Sequence, residues 1–385
     1  MKRTTINIKK ILIIIIVIFS MFTFSSCKAD EKNYYKIIEI PRDIEYGILT
    51  SDSYVAEGKF YHFTDSIKES LKSDKKVYFS KPDISSLSTN GRVLIENKFY
   101  LAATYKNRMF GKDKYVFGFF DVNDKKYHTL HTFKSNDEKC SLSKIGNYLV
   151  LSTEDYYFVF NSSNDELVMT IELDKKWVSK VSYSSFMYLT EDEFVIFDSS
   201  LHCYEVPAEV NLDDYKSGSN YFFNTVGDTY LRYFDKEHNH IFINYKTLEV
   251  EDYGKYVEEK KNNNQSSNNT MENNNECSIS NDTLYITYNG NEYSYSLEHM
   301  RKYYSVIPYV ERLCNTKIEF IYSFIDNNDM FVSIGNNDSF FGFYTPGRTI
   351  PLIFRFNPDT EGFSYVGTSG QIYSKVIKMI PLDDK

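Results

Sequence analysis

Glycine and proline are sparse in this chain, 16 and 8 of 385 residues, alanine is scarce and tryptophan occurs once. So little Gly and Pro excludes a collagen-like or Pro-rich disordered chain. Signature motifs are missing too. No Walker A, G-x-G-x-x-G, G-x-S-x-G, H-E-x-x-H or C-x-x-C pattern occurs, so nothing local points to nucleotide binding, a serine nucleophile, a zinc protease or a redox dithiol. No catalytic residue and no cofactor is assigned. Positive charge is short as well: 44 Lys and Arg face 53 Asp and Glu, a net −9. Phosphate neutralisation needs clustered cations, so no nucleic-acid partner is expected.

What is abundant is aromatic, with 34 Tyr and 30 Phe. Aromatic and β-branched residues suit a pleated, half-buried surface, so composition points to strands.

One long apolar run exists, Ile11 to Phe24, behind Lys2, Arg3, Lys9 and Lys10. It is short for a membrane-spanning helix, which needs about 20 residues, and suits a signal peptide. Phe24-Ser25-Ser26-Cys27 follows. This stretch resembles the lipobox of bacterial lipoproteins, with Phe24 where Leu is usual and Ser26 where Gly or Ala is usual. The resemblance covers the first 27 residues. It implies cleavage before Cys27, a diacylglycerol on its thiol, and attachment to the extracytoplasmic face of the cell membrane. The other reading is an uncleaved anchor; both place residues 28–385 outside the cytoplasm. Losing the four cations would take the net charge to about −13. An anionic membrane surface repels such a domain, so the lipid would supply retention. Residues 27–33 read as a tether of roughly 20–25 Å at about 3.5 Å per residue, and 34–385 as one domain.

A weak unit recurs along that domain: a turn, one residue, then an aromatic–aliphatic strand. It reads GKFYHF, NKFYLA, GNYLVL, SSFMYL, GDTYLR, NDTLYI and NDMFVS, with third residues Phe60, Phe99, Tyr148, Phe186, Thr229, Thr283 and Met330. A second signal follows, a strand ending at Asp or Asn: Asp121, Asn161, Asp198, Asn244 and Asn357. These side chains can cap their own turns. Units of about 40–50 residues with three or four short strands resemble β-propeller blades. The expected fold is all-β, a single propeller of seven blades, with six or eight as variants and tandem β-sandwiches as the alternative. The C-terminal SKVIKMIPL and the N-terminal YYKIIEI would complete one blade from both chain ends. Thr64–Asp74 and Leu297–Tyr304 read as short helices, the first with Ile67 and Leu71 on one face. Residues 258–278, almost all polar and Asn-rich, read as a disordered insertion.

Four cysteines remain after Cys27: Cys140, Cys203, Cys277 and Cys314. They fit free thiols or two disulfides of undetermined pairing. His238 and His240 would share one face of an extended strand, a weak two-point metal site. Acidic clusters such as DVNDKK, STEDYY, LTEDEF and IDNND read as solvated turns or, less well, calcium ligands. The long loop Gly335–Pro351 gathers Phe340, Phe341, Phe343, Tyr344 and Arg348, residue types that binding surfaces favour. The function expected is non-catalytic binding of a protein, peptide or glycan near the membrane. The alternatives are a carbohydrate-active enzyme on the same scaffold, with carboxylates from different blades, and an envelope assembly or sensor subunit.

Overall fold

The computed structural model describes residues 46–73, 83–87, 91–106, 114–134, 140–216, 222–257, 275–314, 317–326, 329–336, 351–368 and 376–382. Cys27, Phe340, Phe341, Phe343, Tyr344 and Arg348, and the YYKIIEI segment, lie outside them. The chain forms two compact units, Met1–Tyr61 with Glu272–Lys385, and His62–Met271. The described residues form seven antiparallel sheets.

In the first unit, β1 (Tyr46–Thr50), β2 (Ser53–Ala56) and β3 (Lys59–His62) form a sheet whose fourth member is the chain's last strand, Val376–Pro381. Ile48 pairs with Met379, so the C-terminal strand does complete the N-terminal sheet. The second unit follows. Helix α1 (Phe63–Ser73) buries Ile67 and Leu71 as its apolar face requires. A five-stranded sheet comprises β4 (Asp83–Leu87), β5 (Val93–Ile95), β6 (Lys98–Lys106), β7 (Lys114–Asp121) and β8 (Lys126–Lys134). Three four-stranded meanders succeed it. The first is β9 (Ser141–Ile145), β10 (Tyr148–Ser152), β11 (Tyr156–Asn161) and β12 (Leu167–Glu172). The second is β13 (Val178–Val181), β14 (Ser185–Leu189), β15 (Glu193–Asp198) and β16 (Cys203–Pro207). The third is β17 (Asn224–Val226), β18 (Tyr230–Phe234), β19 (His240–Asn244) and β20 (Glu249–Val250). Helix α2 (Leu212–Lys216) precedes the last. The first unit resumes with β21 (Glu276–Ser280), β22 (Thr283–Tyr288), β23 (Asn291–Ser296), α3 (Leu297–Tyr303) and α4 (Val306–Cys314). It ends with the meander β24 (Ile318–Asp326), β25 (Asp329–Asn336), β26 (Leu352–Asn357), β27 (Gly362–Thr368), and the closing strand β28 (Val376–Pro381).

The inner strands explain why sheets stack in chain order. β7 reads KYVFGFFD and buries every residue from Tyr115 to Phe120. An apolar run with no alternation needs cover on both faces. Within the second unit, one core joins β6 and β7 to β9–β11 through Phe117 and Phe160. A second joins β9–β11 to β14 and β15, and a third joins β14 and β15 to β18 and β19. Within the first unit, β22 packs on β25 and β26, which pack in turn on β1 and β28. Outer strands alternate instead: β12 and β23 turn every second side chain outward.

The turns repeat as well. Asp121, Asn161, Asp198, Asn244 and Asn357 each accept a hydrogen bond from the backbone N–H two residues on, at 2.8–3.0 Å. Each turn then places a non-glycine residue in the left-handed region: Lys125, Asp165, Leu201, Leu248 and Glu361. A Thr-x-Asp turn recurs too, with the hydroxyls of Thr50, Thr153 and Thr190 bonding the residue three on. STEDYY and LTEDEF are these hairpin turns. Gly146, at φ +55, needs glycine because a side chain there would meet the Ser199 carbonyl at 2.7 Å.

The expected end of the polar insertion is corrected, and two features go beyond what the sequence indicated. Phe60 lies on the fourth strand of its sheet, whereas Phe99, Tyr148, Phe186, Thr283 and Met330 begin inner strands. The strand β21 begins at Glu276, so the polar insertion ends before residue 278. Cys277 is in that strand, opposite Ile286. The expected helix at Leu297 ends at Tyr303, and a separate helix, Val306–Cys314, runs through Pro308, which is tolerated in the first turn, where no N–H is needed.

Arg301 ties α3 and α4 to the β21–β22 turn. It donates to Glu311 at 2.9–3.1 Å and to Asp282 at 2.7 and 2.9 Å. Glu311 also accepts from the Ile318 N–H at 3.2 Å. The hydrogen bonds and charge of Arg301 hold the Asp282 carboxyl below its usual range. We expect Arg301→Ala to cost about 2–3 kcal/mol in denaturant unfolding, because two carboxylates lose their shared cation. The Asp282 contribution is complete above its unfolded value of about 4 and is lost as pH falls through the depressed folded value. The difference between wild type and R301A should therefore narrow in acid; a constant difference would refute the assignment. By contrast, Leu248 is half exposed at φ +63. Leu248→Gly should stabilise by about 0.5–1 kcal/mol by relieving the left-handed strain, read as a raised unfolding midpoint.

Candidate functional site

The sheet β17–β20 has two unlike faces. Leu231, Tyr233 and Ile243 turn into the core shared with β14 and β15. The period of two then sends Tyr230, Arg232 and Phe234 to the other face, opposite Asn244, Phe242 and His240 on β19 (His240–Asn244). Phe222, just before β17, and a helical turn at 253–257 border that face.

Arg232 sits inside a cage of rings. Its guanidinium carbon lies 4.6 Å from the Phe222 ring centre and 4.4 Å from that of Tyr253. Phe234 makes edge contact with Phe222 at 5.4 Å and meets His240 at 5.4 Å. His240 in turn meets Tyr253 at 5.4 Å. Beneath them, Phe242 is buried by Tyr230, Tyr253 and Tyr256, with Tyr230 stacked on it at 4.7 Å. Stacking on ring faces stabilises a cation by about 0.5–2 kcal/mol per contact, more as water is excluded.

The polar contacts are few. Arg232 Nε donates to His240 Nε2, and Nη1 donates to the Tyr253 hydroxyl at 3.2 Å. His240 must therefore carry its proton on Nδ1. Burial and then the Arg232 charge push its acidity constant below 6.5, which favours that neutral form. Among the described residues no carboxylate forms an ion pair with Arg232. Asn224, directly opposite Arg232 on the neighbouring strand, has a buried amide oxygen with no donor.

The structure separates the two weak metal candidates. His238 occupies a left-handed turn at φ +67, fixed by its N–H to the Asp235 carbonyl at 3.0 Å, while His240 begins the strand and faces Arg232. The extended geometry that would align them is absent. Among the described residues no three His, Cys, Asp or Glu gather as metal ligands. Cys140, Cys203 and Cys277 form no disulfide among the described residues. In the IDNND cluster, Asp326 binds Lys378 and the Met379 N–H, and Asp329 binds Tyr46 at 2.6 Å and Arg355 at 2.9 Å. Among the described residues, the carboxyl groups with displaced acidity, Asp198, Asp235, Asp282 and Glu298, all move downward.

A second concavity, about 810 Å³, lies between α1 and β8. Ser70 and Thr129 join across it by hydroxyls at 2.9 Å. His128 is paired to Asp124 at 2.7 Å, and His131 has its acidity constant lowered by burial. Glu69 is its one acidic lining residue.

Sequence reasoning passed over the Arg232 cage because its rings come from three separate segments. One local sign was available. Arg232 is the single arginine between Arg108 and Arg301, placed mid-strand in YLRYFD.

No protein-family model matches the sequence, and no curated protein is significantly similar to it. Several solved structures are distantly similar. Hsv2 from Kluyveromyces lactis shares 10% identity over 73% of this chain and 97% of its own, at a TM-score of 0.23. BamB from Moraxella catarrhalis shares 8% over 90% and 89%, at 0.27. PorZ from Porphyromonas gingivalis, a bacterial surface component of the type-IX secretion system, shares 10% over 86% and 52%, at 0.22. Scores this low transfer neither fold nor activity to this chain.

If Arg232 helps to keep His240 neutral, its removal should show in the imidazole titration. By NMR we expect the His240 midpoint to lie below 6.5 in the wild type and to rise in Arg232→Gln. An unmoved midpoint would refute the coupling.

Proposed function

We propose that this chain is a lipid-anchored, extracytoplasmic binding protein, non-catalytic, whose sheets are the blades of a seven-bladed β-propeller. The observation that carries the binding role is the Arg232 face: a guanidinium held among aromatic rings, with no carboxylate partner among the described residues. Arginine and aromatic residues concentrate binding energy at protein interfaces. An arginine stacked in this way, with no carboxylate among the described residues, contributes little to its own sheet and much to an incoming partner.

Two features support the blade reading. Successive sheets pack face to face in chain order within each unit. The last strand pairs with the first sheet, the arrangement by which propellers tie their ends together. The anchor rests on Phe24-Ser25-Ser26-Cys27 and the apolar run before it. Cys27 carries the lipid in this reading, and the partner is a protein, peptide or glycan at the cell surface.

Expression of the full chain in a bacterium fed an alkyne-tagged fatty acid tests the anchor. We expect the wild type to take up label and sediment with membranes, and Cys27→Ala to lose both. A membrane-extracted chain with an intact Met1 and no lipid would refute it. For the binding role, partners cross-linked to the wild type on cells should be lost with Arg232→Gln. Release of sugars from envelope glycans by the purified chain would replace binding with a carbohydrate-active enzyme.

A further inference from the structure

We propose that the Arg232 cage is a subsite for the C-terminal carboxylate of a peptide ending in an aromatic residue, an assignment that rests on the binding role above. Arg232 has five N–H donors. One goes to His240 and one to Tyr253. The other three, including both on Nη2, have no acceptor among the described residues. They lie in the plane of the guanidinium, the geometry that grips a carboxylate with two parallel hydrogen bonds. Neutral His240 and the Tyr253 hydroxyl hold that plane still, so little freedom is lost on binding.

The surroundings narrow the ligand. Asn224 faces Arg232 across paired strands, where side chains on one face stand about 5 Å apart. Its amide oxygen is buried, so the ligand's polar contact falls to Arg232. Among a protein, a peptide and a glycan, a peptide terminus is the group that joins a carboxylate for Arg232 to an aromatic side chain for the surrounding rings. Phe222, 37% exposed, and the edges of Phe234 and Tyr253 offer apolar surface for a terminal aromatic side chain.

Charge selects among anions. The adjoining turns carry Asp235, Glu237, Glu251 and Asp252, and the whole chain is at −9. A dianionic phosphate meets about twice the repulsion of a single carboxylate in that field. The cage therefore suits a monoanion attached to an aromatic body.

The test uses the full chain in detergent and a fluorescent hexapeptide ending in phenylalanine with a free carboxylate. We expect saturable binding by anisotropy, at least tenfold weaker for the same peptide with a C-terminal amide. Arg232→Gln should weaken it at least tenfold. Arg232→Lys should rescue it only in part, since an ammonium keeps the charge without the fork. Phe222→Ala should weaken it several-fold, with near-UV circular dichroism showing that the sheet is retained. Equal binding of acid and amide peptides, or binding that survives Arg232→Gln, would overturn the proposal. Displacement by inorganic phosphate at the same concentration as N-acetylphenylalanine would overturn the choice of carboxylate. A free N-acetylphenylalanine that competes as well as the peptide would overturn the peptide source. A surface partner whose cross-linking is lost with Arg232→Gln, while acid and amide peptides bind alike, would leave the binding role standing and remove this subsite alone.

Discussion

Apolar inner strands with no polar face are the constraint on which this molecule depends. Tyr115–Phe120, Leu149–Leu151 and Phe194–Phe197 bury side chains on both sides of their sheets. A sheet with such strands at its centre cannot leave one face to water, so each takes its neighbour as cover. The short, alternating outer strands then face solvent, and the polar turns with them. Architecture within each unit follows from this stacking more than from any single bond.

The Arg232 face shows what happens when that cover changes character. Phe242 lies at the centre of β19 and is buried like other inner-strand residues. Its cover on that side is Tyr230, Tyr253 and Tyr256, supplied from its own sheet and a local helical turn. Aromatic rings bury one another and still present edges outward. A cation placed among them is stabilised by the rings and left with hydrogen-bond donors unused. The same arrangement that protects Phe242 therefore brings a cation and aromatic edges to the surface, on which the proposed binding role rests.

Other charges in the fold have the opposite design. Arg301 is satisfied twice over by Asp282 and Glu311. Asp329 is held by Tyr46 and Arg355, and Asp165 by Lys98 and Tyr100. These groups fasten helices and strands to one another. Against them, Arg232 stands out because its polar contacts are with neutral partners.

The sequence by itself determined the strand-rich class, the repeat length, the five Asx turns and the two short helices. Each is a local property: period-two burial, a side chain bonding its own turn, two apolar residues four apart. It also carries the lipobox-like stretch at Cys27, whose chemistry is local. Tertiary structure alone decided that the repeat at Phe60 belongs to an outer strand, because pairing with β28 shifts the count in that sheet. It decided that Cys277 is in a strand and that a helix runs through Pro308. It also separated His238 from His240, since a left-handed residue breaks the alternation between them. Most of all, it assembled the cage around Arg232. Phe222, Phe234, His240 and Tyr253 are brought together by strand register and a returning turn, and long-range register leaves no local signature for a single sequence to show.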